Sequence, residues 1–229
     1  MPQISNASER WSVLGFGEGT NRMRDTTGDM DTSDIDDDQI DEVDAARSRE
    51  YALLSTLLSR APDQPLLDRL ADLRGDASPL GRAHAGVAEA AGCTSAGDVQ
   101  REYFDLFIGL GRGELLPYGS YYLTGFLLDR PLARLRQDLV RIGIEPVSGQ
   151  AEPEDHAAIL CEVMSRLLSR HFPLSPVADR ELFERHLSPW VGRFFADLEH
   201  ARAADFYRRV GALGRTFIDI ETEAFALSS

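Results

Sequence analysis

From Asp41 onward, apolar residues recur at intervals of three and four, and Pro and Gly cut the recurrence into segments of helical length. Tyr51, Leu54, Leu57 and Leu58 fall on one face of a helix predicted over 42–60, which the run Ala61-Pro62-Asp63-Gln64-Pro65 stops. The same reading predicts short helices over 65–74 and 79–91. A further one over 96–109 carries Val99, Tyr103, Leu106 and Phe107 on one side, with Leu110 just beyond. Helices over 120–128 and 131–143 follow, the second opening on Pro131, whose fixed φ suits a first turn. Four more are predicted over 153–171, 176–187, 189–201 and 203–226. No comparable stretch alternates with period two. The expectation is an all-α chain: a single globular domain of about nine or ten helices over 41–229, with essentially no sheet.

Residues 1–40 show no such period. They are rich in Gly, Ser, Thr, Asn and Asp, a composition that buries too little surface to offset the entropy of ordering, and they read as a disordered acidic tail. Between Asp25 and Asp44 stand ten acids and no base, so most of the net charge of −14 is concentrated there and the folded body is only mildly acidic. A phosphate-backbone binder needs clustered cations, and nucleic acid is not an expected partner. Within the tail, Trp11, Val13, Leu14 and Phe16 follow Arg10 as scattered apolar residues. They read as a mobile segment, with a short docking motif as the alternative.

All 24 basic residues are arginine. With no lysine, Schiff-base chemistry, a Walker A loop and a Ser/Lys dyad are excluded. No G-x-S-x-G elbow is present either. Cys93 and Cys161 lie far apart in helical surroundings and read as small core residues, not as a disulfide. No apolar run has the length of a membrane span or of an export signal, so a cytoplasmic protein without stable membrane insertion is expected.

Two stretches carry candidate chemistry. In Ala151-Glu152-Pro153-Glu154-Asp155-His156, three carboxylates and a histidine precede a broad apolar face of Ile159, Leu160, Val163, Met164, Leu167 and Leu168. Pro153 suits the first turn of a helix, and Glu154 and Asp155 would then meet its exposed amides and positive dipole end. As a metal site the cluster is weak, because the residue four beyond His156 is Leu160; no metal and no cofactor are expected. His156 at a positive helix end is expected to act as a neutral hydrogen-bonding group and not as an acid catalyst. The second stretch, Leu116-Pro117-Tyr118-Gly119-Ser120-Tyr121-Tyr122, gathers three tyrosines at a helix entry. Tyrosines give contact area at low entropic cost, which suits a recognition surface; half-buried helix residues are the plainer reading. Gly109, Gly111 and Gly113 follow a helix instead of a strand, and read as chain termination instead of a dinucleotide loop.

Three landmarks in order, YFDLFIGLG, then LLPYGSYYL, then EPEDH about thirty residues later, resemble the TorD/DmsD family of chaperones for molybdenum and tungsten enzymes. The resemblance covers about 45–226, and the family's E-P-x-D-H signature is matched at Glu152, Pro153, Asp155 and His156. It implies an all-helical fold and a non-catalytic redox-enzyme maturation protein, monomeric or a domain-swapped homodimer. Such a protein holds the twin-arginine leader peptide of an apo-molybdoenzyme catalytic subunit, and often the apoprotein itself, until the cofactor is inserted. Carried over by position, Asp155 and His156 become polar contacts for the leader, Glu152 and Pro153 shape the loop, and Leu116, Pro117, Tyr118, Ser120, Tyr121 and Tyr122 supply the neighbouring surface. Two other readings remain open at this level: a helical metal- or nucleotide-dependent enzyme using the 152–156 cluster, and a scaffold that docks partners through its acidic tail.

Overall fold

The computed structural model describes residues 11–13, 42–146, 152–169 and 178–227. Among them are ten α-helices: α1 (Glu42–Ser59), α2 (Gln64–Ala71), α3 (Pro79–Gly92), α4 (Ala96–Tyr103), α5 (Gly119–Thr124), α6 (Arg130–Arg141), α7 (Ala157–Leu168), α8 (Ala178–Leu182), α9 (Val191–His200) and α10 (Phe206–Leu227). The all-α expectation holds. The starts of α2, α3 and α4 are fixed by Asp63, Ser78 and Ser95, whose side chains accept the N–H groups of Leu66, Gly81 and Asp98.

The core is built around α7, in which every residue from Ala157 to Met164 is buried. Helix α1 packs along it, and α10 packs along α9 and α3. The α9–α10 approach depends on glycine: a Cβ at Gly211 would press on the Glu199 backbone, and one at Gly214 on the Phe195 ring. One buried polar group ties α1 to α10. Glu221, 1% exposed, accepts from Arg47 Nε at 2.8 Å and Nη2 at 2.9 Å, and from the Tyr51 hydroxyl at 3.0 Å. Carboxylates also serve helix α10 from outside it. Glu102 accepts the N–H groups of Asp205, Phe206 and Tyr207, which the opening turn of α10 cannot satisfy internally.

Three features depart from the expectations. Helix α4 stops at Tyr103 and continues as a π-helical turn over Phe104–Ile108, closed by Gly109 at φ +62°. The helix expected over 120–128 ends at Thr124, because Gly125 takes a left-handed φ of +82°; the chain then runs in the open with Leu128 at φ +59°. A short antiparallel pair joins β1 (Trp11–Val13) to β2 (Ile144–Pro146) in the register Trp11↔Pro146, Ser12↔Glu145, Val13↔Ile144. Three residues are too few to show a period, so nothing in the sequence announced it. Apart from 11–13, the expected tail lies outside the described residues.

Cys161 is buried, but Cys93 is not a core residue as expected: it caps the C-terminus of α3 and is exposed. Both thiols are free. No helix among the described residues is long and apolar enough to cross a membrane.

Candidate peptide-recognition site at the entry to the central helix

The two candidate stretches meet. Tyr118 and His156 form an isolated antiparallel bridge, flanked by Gly119 N–H donating to the Asp155 carbonyl at 2.9 Å and Ala157 N–H donating to the Pro117 carbonyl at 2.8 Å. The rings of Tyr118 and His156 stand edge to face with centroids 5.0 Å apart. Asp155 adds a second link: its Oδ2 accepts the Ser120 N–H at 2.7 Å in a buried setting.

This pairing corrects the predicted helix start. Pro153 is not in the first turn; it opens a four-residue turn closed by His156 N–H on the Pro153 carbonyl at 3.1 Å, and α7 begins at Ala157. The backbone of 155–157 is taken up by the 117–119 segment, which holds His156 extended at φ −67°, ψ 136°. The cap is then the His156 side chain, whose Nδ1 accepts the Ala158 N–H at 3.1 Å. A ring nitrogen that accepts in this way carries no proton of its own.

The four polar side chains do not converge as a catalytic or metal cluster would. Glu152 Oε2 accepts the Tyr118 hydroxyl at 2.6 Å, Glu154 Oε2 accepts from Arg136 Nε at 2.8 Å, Asp155 holds Ser120, and His156 caps α7. Among the described residues no group of three or more His, Cys, Asp or Glu is placed to hold a metal ion. Asp155 and His156 are buried, as are Pro117 and Ser120, whereas Glu152 is exposed and Leu116, Tyr118, Tyr121, Tyr122 and Pro153 are half-buried. Two buried atoms of this site have no hydrogen-bond partner among the described residues, Asp155 Oδ1 and Ser120 Oγ.

The tyrosines are held by residues that the sequence did not single out. Tyr122 donates to Asp197 Oδ2 at 2.9 Å and stacks at 5.5 Å on Trp190, while Arg193 donates to its carbonyl. Tyr121 accepts from Arg112 at 2.6 Å. Burial, then the bonded carboxylate, holds the phenols of Tyr118 (Glu152) and Tyr122 (Asp197) well above their usual range, so both remain donors. Gly119 sits on the Trp190 indole, 3.0 Å from Nε1 to where a Cβ would lie, so any larger residue there would press on the indole. Arg136, Asp197 and Trp190 lie on other helices, and no local spacing points to them. From Leu123 near the end of α5 onward, Leu123, Phe126, Leu127 and Leu128 form an exposed apolar run directly continuous with the site, with Phe126 71% exposed.

The all-helical domain thus carries a tyrosine-bearing helix entry bridged to an acidic helix entry. Residues 73–196, which include both stretches, match the family described as "Nitrate reductase delta subunit". The chain belongs to that family, the TorD-type redox enzyme maturation proteins. Similar curated proteins are named "Chaperone protein TorD". That of Vibrio atlanticus is 24% identical over 139 residues, 56% of this chain and 65% of the relative. That of a Vibrio cholerae strain is 27% identical over 53% of this chain and 59% of the relative. The chain thus spans somewhat under two thirds of those relatives, although a Shewanella pealeana homologue, 25% identical, is matched over 81% of this chain and 92% of its own. A crystal structure of a candidate redox enzyme maturation protein from Archaeoglobus fulgidus shares the fold, with a TM-score of 0.51 and 21% identity over 76% of this chain and 93% of that one.

Proposed function

We propose that this protein is a cytoplasmic chaperone, not an enzyme, that binds the twin-arginine leader or the apoprotein of a molybdenum or tungsten oxidoreductase, such as a formate dehydrogenase or a dimethylsulfoxide or trimethylamine N-oxide reductase relative, before export. The observation that carries this reading is the junction of the Tyr118–His156 bridge with the exposed Glu152 carboxylate on one side and the exposed apolar run Leu123–Leu128 on the other. A leader of this class offers arginines followed by a flexible apolar segment. Its guanidinium groups match a carboxylate, and its apolar part matches Phe126, Leu127 and Leu128.

The energetics suit reversible holding. Covering roughly 400 Å² of apolar surface gives on the order of 10 kcal/mol gross. Ordering a flexible peptide removes several kcal/mol, which leaves about micromolar affinity or tighter. Asp155 and His156 contribute in this reading chiefly by holding the two segments in register, because their side chains are buried and already bonded.

Calorimetry with twin-arginine leaders of molybdoenzymes from the same genome tests the proposal. Saturable binding is expected, weakened about tenfold by Glu152→Gln and by Phe126→Ser with melting temperature unchanged. Absence of binding to any such leader or apoprotein would overturn it.

A further inference from the structure

Strand β2 follows α6 after two residues, and its first residue, Ile144, is fully buried. It is therefore fixed to the body through its own side chain and through α6, the helix whose Arg136 holds Glu154 of the candidate site. The strand that pairs with it comes from far away in sequence. Trp11–Val13 reaches β2 across 130 residues of chain and contributes only three residues. So short a pair is marginal alone, and its persistence depends on being tethered.

The sequence of this occupant has a definite chemistry. Arg10 precedes Trp11, Val13, Leu14 and Phe16, so a cation comes first and apolar residues follow. That is the order of the ligand proposed above. Added strands bind mainly through main-chain hydrogen bonds and leave the alternate side chains to specify the partner, so one extended segment of this kind can replace another.

We propose that β2 is a strand-addition surface beside the recognition site, and that Trp11–Val13 is its exchangeable internal occupant, a built-in stand-in that an incoming leader displaces. The inference rests on the leader-binding reading only for the identity of the displacing segment. A tethered strand meets β2 at an effective concentration on the order of 1 mM, so occupancy in cis requires the free strand to bind with a Kd below about 1 mM.

The test uses the full chain and the full-chain variant Ser12→Pro/Val13→Pro, in which two of the three paired residues lose the backbone N–H. Circular dichroism first establishes that the variant keeps its helicity. Hydrogen exchange of the segment containing Ile144 and Glu145 is expected to be several-fold slower in the natural chain than in the variant. A synthetic peptide of residues 8–16 is expected to saturate the variant below about 1 mM and to bind the natural chain several-fold more weakly. A molybdoenzyme leader peptide is expected to bind the variant several-fold more tightly than the natural chain.

Equal exchange in the two proteins, or equal or absent peptide binding, overturns the strand-addition surface and leaves the leader reading intact. Protection that vanishes on dilution makes a second copy the occupant, and overturns the internal one. Equal leader affinity for both proteins overturns the displacement. Failure of every leader to bind either protein, with the 8–16 peptide behaving as expected, overturns the proposed function and leaves β2 with its internal strand.

Discussion

Asp155 grips Ser120 and its neighbour twice, once through Oδ2 on the Ser120 N–H at 2.7 Å and once through its carbonyl on the Gly119 N–H at 2.9 Å. The carboxylate-and-histidine motif thus acts first as a clamp between two loops. A clamp of this kind makes the residue hard to remove without cost to the fold.

Replacing Asp155 with alanine leaves the buried Ser120 N–H without an acceptor. The expected loss is about 1–3 kcal/mol of stability. Thermal melting checks it: Asp155→Ala lowers Tm, whereas Asp155→Asn, which keeps an acceptor oxygen, lowers it less. An Asp155→Ala protein that melts like the natural one would mean that the bond contributes nothing.

Leu128 stands at φ +59° and is exposed, a combination that costs a residue with a Cβ about 1 kcal/mol or more. Leu128→Gly relieves that strain and enlarges the freedom of the unfolded chain, two effects of opposite sign and similar size. Melting is therefore expected to change little while leader affinity falls, because the apolar side chain is gone. Calorimetry and a melting curve on the same preparation separate the two.

Glu221 is a different case, since its partners lie in α1 and it is itself in α10. Burial disfavours the Arg47 cation, yet the bond to Glu221 and its charge outweigh that and raise the Arg47 pKa. Glu221→Ala leaves a largely buried guanidinium short of its main partner, at a cost of about 3 kcal/mol. For a domain of this size that corresponds to a fall of roughly 6–12 °C in Tm.

A pH dependence follows from His84, which bonds Glu50 at 2.9 Å between α3 and α1. The bond to Glu50 raises the His84 pKa above its ordinary 6.5, against the opposing effect of burial. A histidine raised on folding contributes stability that is fully present below pH 6.5 and is lost as pH rises through the folded value. Urea unfolding at pH 6 and pH 8 should show this as a loss of about 1 kcal/mol or less. The difference should disappear in His84→Gln.

Much of the helical framework was legible because helices of this length announce themselves through three- and four-residue recurrence and through caps such as Ser78 and Ser95. The ends were misread where tertiary pairing overrides local preference. Pro153 is suited to a first turn, yet the backbone of 155–157 is claimed by Pro117 and Gly119, and α7 waits until Ala157. Likewise Leu127 and Leu128 continue an apolar pattern that Gly125 ends. The two halves of the site were legible as motifs, and their meeting was not, because a contact across 38 residues leaves no local mark. For the same reason nothing pointed to Arg136, Asp197 or Trp190 as the residues that hold Glu154 and Tyr122.

His156 caps the helix that lies deepest in the protein, so the mouth of the site and the centre of the fold share one residue. Any visitor that shifts this ring works directly on the first turn of α7, and any loosening of the core is felt where the visitor sits. Under the proposed function, client occupancy and domain stability are two readings of a single equilibrium. A melting curve taken with and without a client peptide therefore also measures how firmly the peptide is held.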